Sequence, residues 1–451
     1  MIEMSLVSAA EVLGIDAPQS SVAFRGLGTD SRAVEAGSLF VALRGERFDG
    51  HAFVADAARA GAVACLVDHD PQAGIPALVV ADTLRALGAL ASAWRQGFAL
   101  PVVAVTGSNG KTTVKEMVAT ILGARVPTLS TRGNFNNEIG LPLTLARLGP
   151  EHHAAVLELG ANHPGEIARL TEIAQPAVGV ITQCAPAHLE GFGSVEGVAR
   201  AKGELVERLP PGATAVLNVD DPYFDLWTRM AGGHPVVSFG FGAAADVRVR
   251  WVARVDGGDV ELETPIGRAE LRLPLLGRHS AANAAAAAAA AMVAGADLRQ
   301  IVAGLERMQP VARRLRPLAG PRGSTIVDDT YNANPRSVEA AIEVLAALPG
   351  DHWMVLGDMA ELGEDAERLH RRVGERAREA GVSRLFTLGG LAVASASGFG
   401  ATASHFDAVD ALVDALDTTL ARSAPGEVTV LVKGSRSARM ERVVDALTGG
   451  R

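Results

Sequence analysis

The chain has 451 residues, 48% apolar but only 4% aromatic, which suggests two to four domains whose cores are built mainly from Ala, Val and Leu. A formal net charge of -9 argues against a nucleic-acid coat or a basic membrane surface, while leaving room for an anionic small molecule held by a local cluster. Two cysteines, Cys65 and Cys184, cannot form a secreted disulfide framework and read as reduced thiols in a cytosolic protein.

The opening stretch MIEMSLVSAAEVLGIDA has no basic segment ahead of an apolar one, so no signal peptide is expected. Residues 1–99 carry the strand candidates SLFVAL (38–43) and AVACLV (62–67), the second burying Cys65. The helical pattern LRALGALASAWRQGF closes this unit, and Ala99-Leu100-Pro101 breaks the chain before the next. From Val102 the rhythm is strand, turn, helix. AAVLELG (154–160) and AVGVITQ (177–183) are unbroken apolar runs, as expected of parallel strands buried on both faces. Between about 214 and 275, VRVRWVARV and VELETPIGRAELRLPL alternate apolar and polar residues. They predict inserted antiparallel hairpins, with Gly257-Gly258 between them. AANAAAAAAAAMVAGA (281–296) is too short and alanine-rich to span a membrane, and reads as a tightly packed core helix. STIVDDTY, WMVLGDM, RLFTLGG and VTVLVKG then give a Rossmann-like rhythm. The expected fold is α/β with three domains. These are residues 1–99, a central P-loop-type parallel sheet over 100–312, and a Rossmann-like unit over 313–451.

The chemistry starts at VVAVTGSNGKTTVKEMVATIL (102–122), where a strand enters a glycine turn that opens a helix. In the P-loop spacing G-x-x-x-x-G-K-[ST], the first glycine would stand at Val105; only Gly107, two residues later, is available. Strand, turn and helix are nonetheless the context a phosphate requires. N–H groups at the helix N-terminus favour an anion, Lys111 adds a point charge for the β/γ-phosphates, and Thr112 has a hydroxyl for Mg²⁺. Gly107, Ser108, Asn109, Gly110, Lys111, Thr112 and Thr113 are therefore expected to hold a nucleotide.

The short turn TGSNGKTT resembles that of the Mur ligase and folylpolyglutamate synthetase superfamily. TRGNFNNEIGLPLTL (131–145), ELGANHPGEI (158–167), APAHLEGFGS (185–194) and DDTYNANP (328–335) favour the Mur ligase side. LGDMAELG (356–363), LVKGSR (431–436) and TDSRAVEAGSLFVALRGERFDGH (29–51) extend the resemblance over essentially the whole chain. It is most similar to the members that add D-alanyl-D-alanine to UDP-N-acetylmuramoyl-tripeptide. The resemblance implies ATP, two Mg²⁺ ions, an acyl-phosphate intermediate, those two small-molecule substrates, and a cytoplasmic monomer without nucleic acid or membrane span.

Joining a carboxylate to an amine needs an activated acyl group, and phosphoryl transfer that supplies one depends on positioning and on metal ions. Hard oxygen ligands are expected at strand ends beside the turn. The resemblance assigns Glu158, at the end of AVLE, to Mg²⁺ and His188 to a second ion; His163 reads as a turn residue. In SVEGVARAKGELVERL, Lys202 shares a helical face with Val198 and Leu205, so it either snorkels or functions. The resemblance implies a carbamylated, metal-binding Lys202. It also places Asn283 beside adenine, Arg314 on the phosphates and Asp329 on the ribose. Many family members have Asn at the position of Ser280. Asn134 and Asn137 are implied in substrate recognition, and Ser31, Arg32 and the loop Arg44–His51 in holding the uridine diphosphate.

Three other readings differ in their signatures. The ligase that adds the third amino acid carries a DNPR-type signature, absent here. A folylpolyglutamate synthetase fits LEGFGS and NFNNEIG less well. A nucleotide-switched scaffold has no need of the set Glu158, His188 and Lys202.

Overall fold

The computed structural model describes residues 1–45 and 48–449. Glu46 and Arg47, in the loop expected at the uridine diphosphate, lie outside the described residues. Three parallel or mostly parallel sheets follow one another along the chain. The first has four parallel strands in the order Leu27–Gly28, Leu39–Val41, Ala64–Val67 and Ala77–Val79. Helix Thr83–Gln96 closes this unit; its N-terminus is capped by Asp82, whose carboxylate accepts from the Leu84 and Arg85 N–H groups. Arg95, buried on this helix, donates to the carbonyls of Ala174 and Phe98, and Trp94 donates to the Leu148 carbonyl. The bonds to Ala174 and Leu148 fasten the first unit to the second.

The central sheet has nine strands in the order Thr128–Ser130, Ala154–Glu158, Val102–Thr106, Val178–Ile181, Thr214–Asn218, Val236–Gly240, Val247–Arg254, Gly257–Thr264 and Gly267–Leu273. The first seven run parallel and the last three form an antiparallel meander. The expected hairpins therefore continue the main sheet. Gly257-Gly258 opens a strand instead of forming the turn. A Cβ on Gly258 would lie 2.0 Å from Trp251 Nε1, and one on Gly257 2.1 Å from the Leu273 carbonyl oxygen, so close approach demands the pair.

The alanine run forms helix Arg278–Val293, with Ala284 to Ala291 all buried. It packs in one core with helix Lys111–Gly123 and the sheet. Buried on every side, it needs small residues for close approach. Enlarging one alanine to leucine would overfill the layer at a cost of about 1–3 kcal/mol.

The third sheet has six strands in the order Arg316–Ala319, Thr325–Asp329, Val428–Lys433, Asp351–Gly357, Arg384–Leu388 and Ala403–Phe406, parallel except at the first pair. No helix among the described residues is long and apolar enough to cross a membrane.

Candidate active site

The phosphate turn leaves the C-terminal end of strand Val102–Thr106, inside the sheet, where open α/β folds place their ligands. Gly107 and Gly110 both have positive φ, 143° and 85°. A Cβ on Gly107 would stand 2.0 Å from Thr182 Oγ1, and one on Gly110 2.5 Å from Asn283 Oδ1. The displaced first glycine thus lets the turn close against the neighbouring strand, and the second lets the alanine helix bring Asn283 up to it. Lys111 Nζ donates to the Gly107 carbonyl at 2.6 Å, folded over its own turn. Burial, with Arg314 nearby, lowers the Lys111 pKa despite the pull of Glu158.

Glu158 ends the adjacent strand and is 2% exposed. Its two carboxylate oxygens accept from Thr112 Oγ1 at 2.9 Å and from Asn136 Nδ2 at 2.8 Å, and its N–H donates to Thr131 Oγ1 at 3.0 Å. Among the described residues it has no ion-pair partner. A buried carboxylate served only by neutral donors, with a threonine hydroxyl beside it, is a donor set that suits a hard cation.

His188 sits at φ 53° just beyond strand Val178–Ile181. Its Nδ1 meets the Glu361 carboxylate, while Leu189 N–H donates to the Glu361 carbonyl. Burial, opposed by Glu361 and reinforced by Lys111 and Lys202, holds His188 below the ordinary imidazole range. Lys202 is 2% exposed on helix Val195–Glu207, and burial, aided by the charge of Lys111, pushes it down to about 7. Its ammonium lies 5.4 Å from the Phe192 ring centroid, and among the described residues it makes no hydrogen bond or ion pair.

Two clefts meet at Asn109, Gly110 and Arg314. One, of about 570 Å³, is lined by Asn283, Phe241, Arg278, Asp329 and Lys433. The other, of about 840 Å³, holds Lys111, Thr112, Glu158, His188, Asn134 and Asn137. Arg314 stacks over Tyr331 at 4.1 Å. Asp329 is already engaged, accepting from Lys433 Nζ at 2.6 Å.

Not every expected residue reaches these clefts. Ser31, Arg32 and Lys202 lie outside both linings; Lys202 is buried, and exposed Arg32 pairs with Asp30 at 2.7 Å. Asn137 lines the larger cleft but spends its side-chain carbonyl locally, accepting from the Ile139 N–H at 3.2 Å and the Gly140 N–H at 2.9 Å. The asparagine that touches Glu158 is Asn136, which lies between the two expected ones. His163 is exposed and pairs locally with Glu166, as a turn residue does. Farther off, His51, Asp68 and His69 cluster in the first unit. There the His51 Nε2 lone pair is taken by the Asp68 N–H at 3.0 Å, and Nδ1 faces Asp49 at 2.6 Å.

The composition carries one further signal, a set of four residues of which two, Lys111 and Lys433, line the clefts. The 42 basic residues include only four lysines, Lys111, Lys115, Lys202 and Lys433. Three of them are at most 2% exposed and the fourth closes the phosphate turn.

Phosphate turn, buried carboxylate and two-domain cleft define a nucleotide-using ligase class, and the chain belongs to the Mur ligase family. Family profiles match residues 23–95 (Mur ligase family, catalytic domain), 105–291 (Mur ligase middle domain) and 306–436 (Mur ligase, glutamate ligase domain). The chain is 44% identical over 451 residues to UDP-N-acetylmuramoyl-tripeptide--D-alanyl-D-alanine ligase of Escherichia coli (strain K12), covering 99% of each. It superposes on a crystal structure of MurF from Acinetobacter baumannii with a TM-score of 0.94 and 37% identity, covering 100% of this chain and 99% of that one. MurF ligase from Thermotoga maritima in complex with ADP gives a TM-score of 0.84 at 30% identity, covering 94% and 97%.

Proposed function

We propose that this chain is the ATP-dependent ligase that joins D-alanyl-D-alanine to UDP-N-acetylmuramoyl-tripeptide in cytoplasmic peptidoglycan-precursor synthesis. The observation that carries the chemistry is the buried carboxylate of Glu158, which accepts from Thr112 Oγ1 at the start of the phosphate-turn helix. Similarity to relatives of that name over nearly the full chain supports the substrate pair.

The turn 107–113 binds the triphosphate through backbone N–H groups, and Lys111 shifts from its own carbonyls to the β/γ-phosphates. Asn283 faces the base, Arg314 reaches the phosphates from the third domain, and Asp329 receives the ribose. When bound, ATP supplies the phosphoryl group that converts the tripeptide carboxylate into an acyl phosphate. Thr112 and Glu158 would hold one Mg²⁺, and His188 with a carbamylated Lys202 would hold a second; when bound, such ions would neutralise the developing charge. The lysine suits that modification, since burial lowers its pKa to about 7 and so raises the share of neutral amine that can react with CO₂ at neutral pH. Asn134 and Asn137 flank the muramyl peptide, and Ser31 and Arg32 hold the uridine diphosphate. The protein acts as a monomer with domains over 1–99, 100–312 and 313–451.

Phosphate release measured with each substrate omitted in turn tests the reading: it should require both UDP-N-acetylmuramoyl-tripeptide and D-alanyl-D-alanine. Release with the UDP-dipeptide and a free amino acid instead would overturn it.

A further inference from the structure

Asn334 stands at the start of helix Pro335–Ala347 in the third domain and is 7% exposed. Its Oδ1 accepts from Ser337 N–H at 2.9 Å, and its N–H is served by Ser337 Oγ at 3.0 Å, a complete capping box. Capping uses only part of this side chain. The amide nitrogen donates to Asn109 Oδ1 at 2.9 Å, and Asn109 Nδ2 leans back towards Asn334 Oδ1 at 3.4 Å. This amide pair joins the middle of the phosphate turn to a residue 225 positions away. Asn109 is pinned from behind, its carbonyl accepting from Thr182 Oγ1 at 2.6 Å. Two residues into the same helix, Arg336 donates to the Cys184 carbonyl at 2.7 Å, on the segment that leads to His188.

We infer that Asn334 is a positioning residue, clasping the third domain onto the phosphate turn through Asn109 so that the incoming amine meets the activated carboxylate. A serine would keep the cap, but its shorter arm leaves Asn109 unclasped. The pairing is also specific to amides, each side offering one donor and one acceptor to the other. This inference rests on the ligase reading above, so its test includes a readout that needs no turnover.

The experiment compares Asn334→Ser, Asn109→Ala and the double variant with the wild type. Asn334→Ser should keep its melting midpoint and its KM for the UDP-tripeptide. Its kcat/KM for D-alanyl-D-alanine should fall about tenfold, and the double variant should be no worse than the weaker single one, because both remove one interaction. Solution scattering with a non-hydrolysable ATP analogue and the UDP-tripeptide should show compaction of the wild type and less in Asn334→Ser. Should Asn334→Ser fail to fold, Asn109→Ala opens the clasp from the other side without touching the helix cap. Wild-type kinetics and compaction in either single variant, or strictly additive losses in the double, would overturn the clasp. A wild type that compacts but shows no turnover dependent on D-alanyl-D-alanine would instead overturn the ligase reading alone.

Discussion

Two lysines, buried to the same 2% exposure, lie in two regions of the molecule and live by different rules. Lys433, on the floor of the third domain, donates to Asp329 at 2.6 Å and to the Asn332 carbonyl at 2.9 Å. Lys202, in the central domain, has its ammonium 5.4 Å from the Phe192 ring centroid and, among the described residues, no hydrogen bond or ion pair. Lys115, equally buried, follows the first pattern: it donates to the Thr131 carbonyl at 2.9 Å and meets Glu116. A buried charge with partners is architecture, because the partners offset its lost hydration. One without them is held ready for something that arrives later. This chain makes the contrast plain by using arginine almost everywhere else, and lysine is the cation whose proton burial can remove.

The contrast can be broken most severely at Lys111, whose ammonium is parked on the Gly107 and Ser108 carbonyls. Lys111→Ala should lower turnover on the order of 1,000-fold while circular dichroism stays native, since only phosphate neutralisation is removed. Near-normal turnover would mean that the turn does not grip the phosphates.

Lys433→Met should act in the opposite sense, on stability first. It leaves the Asp329 carboxylate buried without its cation and should cost about 3 kcal/mol in denaturant unfolding. Adding Asp329→Asn to the same chain should recover much of the loss. If Lys433→Met is neutral for stability, the division between partnered and unpartnered lysines fails.

Lys202→Ala should leave stability unchanged or raised, yet cut activity on the order of 100-fold, as losing a metal-orienting group does. A small carboxylate at high concentration should restore part of it. Crystals of the wild type should show extra density on Nζ consistent with a carboxyl group. Full activity in Lys202→Ala would make it a snorkelling residue.

The smallest effect concerns His370, fully buried between two backbone groups. It accepts from Met359 N–H at Nε2 and donates from Nδ1 to the Ala366 carbonyl. Burial depresses its pKa, so the folded state keeps the imidazole neutral while the unfolded chain takes up a proton below about pH 6.5. Its contribution is therefore present above that pH and lost as pH falls through the folded-state value. Unfolding free energies should drop by about 1 kcal/mol between pH 7.5 and 5.5, and His370→Gln should flatten that slope.

Local pattern determined much of this protein. Apolar runs placed the parallel strands, an all-alanine stretch announced a helix buried on every side, and strand–glycine turn–helix located the turn that opens helix Lys111–Gly123. Glu158 and Lys202 were legible because a strand end and a helical face follow from counting residues. Which asparagine of NFNNEIG meets Glu158 was not, since Asn134, Asn136 and Asn137 differ only in how the loop folds back. Nor could spacing reveal that Asp329 is occupied by Lys433, that His188 faces Glu361, or that Asn334 reaches Asn109. Those pairs join segments 104, 173 and 225 residues apart: strand pairing inside the third sheet brings the first together, and the docking of the third domain on the central one brings the other two. Periodicity reports the face that a residue shows to its own core. Who stands across a domain boundary is decided by tertiary structure alone, because no local rule of chain geometry reaches that far.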